Sequence, residues 1–409
     1  MLKNNAEQIL LKDFIDVEII DRKKQLEEIE NEILKPLLKD QTLPKLIYIY
    51  GGSGSGKTFL IKKMEEKILK ARTIFREFFY IYYNASEYGK PSLYSLVLEI
   101  VSALHKFFPF WDKEKGEKIY LPKRGVPLED IIKCLKLVID RFKPTILVVI
   151  DEIDKFDDFP SVIKWLAEMR AKYNEYWGLT SILISNDPYL LERIKEEVKT
   201  RISYTIFFTP YTIQDFYEIA KLFVSKCFNT KLPNELIIKI AKKVNEISSS
   251  VRDLKLTLYF FGKEGKLDEE SINLAIDKSQ MEIFKKEILS RPLQQKLVLF
   301  AIASFHKRIS EYEERRMKGL VKYTLLPTLK NIYNEYVRIA KNLTKINPLC
   351  EPRKYTTFFN MIRNLEDAQL ISVEVRYLGK GKGRTSFVFP KNASWEYYYE
   401  VLESEFQRV

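Results

Sequence analysis

Hydrophobic positions along the chain first follow a helical period, then a mixed one, then a helical period again. Leu26, Ile29, Ile33 and Leu37 recur on one face of an amphipathic helix predicted within Ile20–Leu38. Short apolar runs then take turns with helical patterns. The strand-like runs are Ile47–Tyr50, Phe78–Tyr83, Thr145–Ile150, Thr180–Ile184 and Tyr204–Phe208. The helical patterns between them are Phe59–Lys70, Leu93–Phe107, Leu128–Phe142 and Ser161–Lys172. The run TILVVI at 145–150 is apolar throughout, the mark of a strand covered on both faces. Such alternation predicts an α/β fold with a doubly wound parallel sheet. Between Phe108 and Val126 the period fails at Pro109, Gly116, Pro122 and Gly125, which predicts an inserted loop or short hairpin.

From Thr212 to about Ser279 the pattern is wholly helical: Phe216–Cys227, Pro233–Ile247, Val251–Phe261 and Glu269–Asp277, the size of a small α-helical lid. The final third starts with a helix, Leu293–Phe305, followed by a charged stretch, Glu311–Lys318, and a second helix, Thr328–Ala340. In Pro352–Leu365, Phe358, Met361, Ile362 and Leu365 form an apolar face. Arg353, Lys354, Thr356, Thr357, Asn360, Arg363 and Asn364 take the other. Two strand patterns, Ile371–Leu378 and Thr385–Phe389, then flank a basic tip carrying Lys380, Lys382 and Arg384. Helix, helix, polar helix and basic hairpin is the order of a winged helix. Its polar helix would enter a major groove and its tip would follow the backbone or the minor groove, although winged folds also mediate protein contacts. The predicted parts are a nucleotide-binding base (1–210), a helical lid (211–282) and a winged-helix domain (283–409).

Composition agrees with folded structure: 46% of the 409 residues are hydrophobic and 13% aromatic, enough for two or three cores. The net charge of +12 is uneven, because residues 281–409 hold 23 Lys and Arg against 14 Asp and Glu. A polyanion-binding face and a solvated basic surface both fit that excess. Cys134, Cys227 and Cys350 stand far apart and only two histidines are present. This argues against a zinc site or a disulfide framework and for a reducing cytoplasmic setting. No apolar run approaches the roughly 20 residues of a membrane span, so no membrane partner is expected.

The chemistry centres on Gly51, Gly52, Ser53, Gly54, Ser55, Gly56, Lys57 and Thr58, a G-x-x-x-x-G-K-T spacing with Phe59 opening the next helix. Backbone N–H groups fold around phosphate oxygens only where Cβ atoms do not obstruct them. Lys57 would then reach the β- and γ-phosphates and Thr58 would offer its hydroxyl to Mg²⁺. Asp151 and Glu152 end the buried strand at 145–150, where an open α/β sheet binds its ligand. Asp151 would hold Mg²⁺ through water and Glu152 would polarise the attacking water. Asn186, at the tip of a strand expected beside the first, has an amide suited to orienting that water. Arg252, at the start of a lid helix, is placed to reach the nucleotide. Asp13-Phe14-Ile15 and Ile19-Ile20 would either wall a base or simply pack, and Lys123 and Arg124 are either phosphate contacts or a solvated pair.

With GGSGSGKT (51–58), VVIDEIDKF (148–156), ISND (184–187), FTPY (208–211), SVRDL (250–254), LQQKLVLFAI (293–302) and GKGKGRTSFVF (379–389), the sequence resembles the archaeal origin-recognition/Cdc-type replication initiators, a branch of the AAA+ ATPases. The resemblance implies Asn186 as sensor 1, Arg252 as sensor 2 and Arg201 as an arginine finger acting on a neighbouring subunit. It also implies that Lys123 and Arg124 belong to a DNA-contacting insertion. The function implied is a slow, switch-like ATPase that uses ATP/ADP and Mg²⁺, binds double-stranded origin DNA near the nucleoid, and meets other initiator subunits and the replicative helicase. Ser249 stands where glycine is usual, Glu197 where arginine is common, and Lys307–Thr328 is longer and more charged than usual. A helicase-loading or remodelling ATPase whose winged helix binds protein is the alternative, and a signalling or defence NTPase switch a third reading.

Overall fold

The computed structural model describes residues 1–11, 20, 22–36, 46–69, 78–88, 90–107, 125–172, 178–318, 324–377 and 384–407. They form two units, Met1–Ser279 and Gln280–Val409. No helix among the described residues is long and apolar enough to cross a membrane.

The first unit opens with α1 (Ala6–Leu11) and α2 (Lys23–Ile29), which runs on as a π-helical turn over Glu30–Leu34. There follow β1 (Leu46–Gly51), α3 (Lys57–Leu69), β2 (Phe78–Asn84), α4 (Leu93–His105), α5 (Leu128–Phe142), β3 (Thr145–Asp151), α6 (Phe159–Lys172), β4 (Gly178–Ser185), α7 (Glu196–Lys199) and β5 (Tyr204–Phe208). The five strands are parallel in the order β2-β3-β4-β1-β5, with Tyr48 of β1 opposite Leu183 of β4 and Thr205 of β5. Every residue of β3 and β4 is buried, as two covered faces require. Successive side chains divide between two cores. Ile146, Val148 and Ile150 join one with residues of α4, α5 and α6, while Leu147 and Val149 join the other with residues of α2 and α3. This is the doubly wound sheet expected from the pattern. Its β1 and β3 flank β4 and end on the same edge of the parallel sheet, at Gly51 and Asp151.

Four helices follow: α8 (Ile213–Cys227), α9 (Asn234–Ile247), α10 (Val251–Glu264) and α11 (Glu269–Ser290). A capping box starts α8, where the Thr212 hydroxyl accepts from Asp215 N–H at 3.2 Å and the Asp215 carboxylate accepts from Thr212 N–H at 2.7 Å. Helix α11 extends to Ser290, well past the expected end at Asp277. The polar interruption near Ser279 is absorbed because its buried hydroxyl bonds Thr257 Oγ1 at 3.0 Å and the Ile276 carbonyl at 2.9 Å. The short α1 went unpredicted. It buries Ala6 and Leu10, and Leu2 before it pairs with Phe228 and lies against Gly262, where a Cβ would stand 2.3 Å from Leu2 Cδ2.

The second unit holds α12 (Leu293–Met317), α13 (Leu329–Thr344), α14 (Tyr355–Asp367), β6 (Ile371–Tyr377), β7 (Arg384–Pro390) and α15 (Trp395–Phe406). Strands β6 and β7 form an antiparallel hairpin, and a bridge from Thr328 to Phe387 adds a rudimentary third strand. The order is that of a winged helix, with α15 as an addition that sequence reading missed. Tyr398, Val401, Leu402 and Phe406 on α15 are buried at helical spacing. The charged stretch at 311–317 is not a separate segment: α12 runs straight through it, because Glu and Arg are strong helix formers and no breaker precedes Gly319. Glu335, 3% exposed, accepts from Arg308 at 2.7 Å and from Arg338 at 2.6 Å, which ties α13 to α12. His306 bonds the Val388 carbonyl at 2.8 Å, and burial holds its imidazole below the usual pKa and therefore neutral.

Candidate functional site

The turn after β1 places a glycine-rich loop against the start of α3. Gly54 adopts φ +74°, and a Cβ there would stand 2.6 Å from the Ser250 Cα, so only glycine lets the loop approach the segment leading into α10 this closely. Lys57 is 4% exposed, and its ammonium donates to the carbonyls of Gly51 (2.9 Å) and Gly52 (2.8 Å). Burial pushes its pKa down to about 8, with the Asp151 charge opposing the shift. The loop thus ends in a cation at a helix N-terminus, which suits polyphosphate. Sequence reading missed the group that braces it. Arg22, 3% exposed, donates from Nε to the Ser55 carbonyl at 3.0 Å and from Nη2 to the Thr209 carbonyl at 2.8 Å. Its guanidinium also lies 3.8 Å from the centre of the Tyr211 ring.

Asp151 closes the other side. Its Oδ2 accepts from Thr58 Oγ1 at 2.8 Å and from the Tyr82 hydroxyl at 2.5 Å, while Oδ1 accepts from Glu152 N–H at 3.0 Å. Glu152 sits in the left-handed region at φ 57°, an unusual conformation for a residue with a side chain. Burial raises its carboxyl pKa, against the opposing charges of Lys155 and Arg252. Asn186 donates to Glu152 Oε1 at 3.5 Å, and its backbone N–H is fixed by Asp154 Oδ1 at 2.9 Å. Asp154 was not singled out from the sequence. It also accepts from Ser185 Oγ at 3.1 Å, so it aims the asparagine.

These groups line a cavity of about 310 Å³ that takes in Ser53, Gly54, Gly56, Lys57, Thr58, Phe59, Asp151, Glu152, Asn186 and Arg252. Ile20, Tyr211, Ile219, Leu222, Phe223 and Lys255 are also among its lining residues. Gly51, Gly52 and Ser55 build the loop without lining the cavity. Arg201 lies outside it and is exposed; Arg170 donates to its carbonyl at 2.6 Å. Asp13, Phe14, Ile15 and Ile19 fall outside the described residues, and of that proposed base wall Ile20 alone is placed. Thr58 and Asp151 present hard oxygen donors 2.8 Å apart, which fit Mg²⁺ held jointly with phosphate oxygens. Among the described residues there is no cluster of three or more His, Cys, Asp or Glu able to hold a metal alone.

In the second unit, Arg353, Lys354, Thr356, Thr357, Asn360 and Arg363 are all exposed around α14, while Phe358, Met361, Ile362 and Leu365 are buried. The start of this helix is braced at the backbone of Arg353: the Tyr336 hydroxyl accepts its N–H at 2.9 Å and the Tyr333 hydroxyl donates to its carbonyl at 3.2 Å. The Arg363 guanidinium lies 4.6 Å from the Phe359 ring centre. Arg384 is exposed where β7 begins; Lys380 and Lys382, like Lys123 and Arg124 of the insertion, lie outside the described residues.

Two family models match: "Nephrocystin 3, N-terminal" over residues 28–185, which takes in the phosphate loop and both carboxylates, and "CDC6, C terminal winged helix domain" over residues 286–389. The ORC1-type DNA replication protein 1 of Sulfurisphaera tokodaii is 26% identical over 349 residues, covering 82% of this chain and 78% of that protein. The Aeropyrum pernix Orc1 protein, solved in complex with DNA, superposes with a TM-score of 0.70 at 19% identity over 100% of this chain and 98% of its own. The chain is thus similar to archaeal ORC1-type DNA replication proteins over most of its length, and its last part matches the Cdc6 winged-helix domain. The Aeropyrum pernix ORC2 protein, solved as ADPNP–ADP complexes, has a TM-score of 0.50 at 17% identity, covering 100% of this chain and 98% of that one. The loop and the segment leading into α10 meet at Gly54 and Ser250.

Proposed function

We propose that the chain is an ATP-dependent replication initiator that grips origin duplex DNA through its winged helix and its AAA+ insertion, with ATP as the conformational switch. The observation that carries this reading is that one chain holds both a phosphate loop facing paired carboxylates and a helix, α14, whose whole polar face is open to solvent. ATP and ADP are the proposed ligands. Lys57 and Arg252 would hold the phosphates, Thr58 and Asp151 would hold Mg²⁺, and that ion would screen the charge on the phosphate oxygens. Glu152, with its raised pKa, would take the proton of the attacking water, and Asn186 would orient that water. Arg201 lies outside its own cavity and would act on a neighbouring initiator subunit, so an isolated copy would turn over slowly. The replicative helicase is a further proposed partner, and the setting is the cytoplasm at the nucleoid.

Glu152→Gln tests the switch. Hydrolysis should fall by about 10²–10⁴-fold while ATP affinity stays near that of the parent. Turnover unchanged by the substitution would remove Glu152 from the chemistry. A second reading, a loading ATPase whose winged domain binds protein, draws support from Val375 and Tyr377, 62% and 66% exposed on β6. It predicts intact ATP turnover with no measurable duplex binding.

A further inference from the structure

Helix α14 starts without a capping side chain of its own. Its N-cap position is Lys354, whose ammonium has no acceptor to offer the free N–H groups of the first turn. The lead-in is held from outside instead, at every second residue. Gln294, at the second position of α12, donates from Nε2 to the carbonyls of Leu349 at 2.7 Å and Glu351 at 3.1 Å. Its Oε1 accepts from the Tyr336 hydroxyl at 2.5 Å, and that hydroxyl accepts from Arg353 N–H at 2.9 Å. The directions follow from the chemistry. A backbone N–H only donates and a carbonyl only accepts, so the phenol proton must face Gln294 Oε1 and the Gln294 amide nitrogen must face the two carbonyls. Two side chains thus tie Leu349, Glu351 and Arg353 to α12 and α13. The Tyr336 ring lies 5.4 Å from that of Phe358, and the Tyr333 ring lies 4.9 Å from that of Tyr355 and 5.1 Å from that of Phe358. Hydrogen bonds therefore fix where α14 begins, and rings fix how it is rotated about its axis.

Reading bases demands that fixity, because a side chain tells base edges apart only when it is held to within about 0.5 Å of its productive position. A helix moves as a rigid body, so an error at its start is carried to every side chain it presents. Resting on the reading of α14 as the helix that enters the major groove, we propose that Gln294 and Tyr336 are positioning residues for sequence recognition. They act through the backbone ahead of α14 and set the depth and rotation at which it presents Asn360 and Arg363. Tyr336, 0% exposed, is too deeply buried to meet a duplex itself. The pair governs which duplex is preferred, whereas the charges around α14 govern how tightly any duplex is held.

The test is the affinity of the ATP-loaded full chain for its origin duplex and for a scrambled duplex, over several salt concentrations, comparing the parent, Tyr336→Phe, Gln294→Met and the double variant. Phenylalanine keeps the buried ring and removes the hydroxyl; methionine keeps the stem and removes the amide. Both affinities are read on one sample, so the fraction of folded protein cancels in their ratio and a loss of stability alone does not move it. Each single variant should lower the ratio about tenfold, what one base contact contributes, with the scrambled duplex bound within about twofold of the parent and the salt slope unchanged. The double variant should lose no more than the worse single one, because both changes cut the same relay. A Tyr336→Phe ratio that matches the parent's overturns the assignment. So does an equal loss on both duplexes, which would mark a packing role, and so do losses that multiply in the double variant, which would make the two residues independent. A parent with no preference for the origin duplex defeats the reading of α14 itself, an outcome distinct from a parent that prefers the origin and a Tyr336→Phe protein that prefers it equally.

Discussion

Asp151 accepts three hydrogen bonds, and two of them meet on a single oxygen. In that arrangement the Thr58 hydroxyl is the donor needed at the metal, which leaves Tyr82 to keep the carboxylate aimed once Mg²⁺ is bound. Burial and the Asp151 charge raise the Tyr82 pKa, so the phenol stays a donor throughout the working range. Tyr82→Phe should therefore raise the Mg²⁺ concentration needed for tight nucleotide binding several-fold and leave metal-free binding unchanged. Titration of Mg²⁺ at fixed nucleotide measures this, and an unaltered Mg²⁺ midpoint would assign Tyr82 to packing alone. Lys57 gives a pH prediction. Its folded pKa is about 8 against an ordinary 10.5, so between those values the unfolded chain holds a proton that the folded, ligand-free protein has released. Stability of the ligand-free protein should accordingly gain from this group as pH rises through that window. Bound phosphate favours the charged amine, so nucleotide binding should take up a proton near pH 8.5 and weaken above it; calorimetry in buffers of different ionisation enthalpy reads the uptake. Lys57, Asp151 and Glu152 were legible because one loop and one strand end carry them at fixed spacing. Arg22 and Tyr82 were not, since Arg22 meets carbonyls 33 and 187 positions away and Tyr82 meets an acid 69 positions away.

Among the elements, α14 was the most readable, because one side of its helical period is apolar and the other polar. Asn360→Ala and Arg363→Ala should relax sequence preference, with about 1–3 kcal/mol lost per base contact, whereas Lys380→Ala and Lys382→Ala should weaken all duplexes alike. Competition assays with matched and scrambled duplexes separate these outcomes. If the α14 substitutions leave both affinity and preference intact, this helix does not read bases. The true lengths of α11 and α12 were harder to see. Sequence patterns stop where the apolar period fades, yet a helix continues while propensity is good and its polar groups find partners, as at Ser279 and through 311–317. The Glu335 carboxylate shows the other kind of hidden constraint, a buried charge whose partners lie on two helices. Glu335→Ala should destabilise the second unit by about 2 kcal/mol, a value kept modest because the arginines it releases are half exposed. A lowered denaturant midpoint would report it.

For the whole molecule, the order of parts could be read from the changes in hydrophobic period, and the sheet, the four helices after it and the winged unit follow that order. The six-residue α1 escaped because it is brief, and the closing α15 because it lies beyond the motifs although its apolar residues keep a helical spacing. The charge asymmetry matters at this scale too: the excess of 23 basic over 14 acidic residues from Met281 onward lies in the unit that presents α14. Binding that neutralises several phosphates should show log affinity falling steeply with log salt, by about 0.9 per phosphate contacted. The most direct measurement is the affinity of the ATP-loaded full chain for duplex DNA from the origin of its own replicon and for a scrambled duplex, over a series of salt concentrations. Preference for the origin duplex at every concentration, together with a steep salt dependence, is the predicted result; equal affinity for the scrambled duplex, or no duplex binding by a chain that still binds ATP, would contradict it.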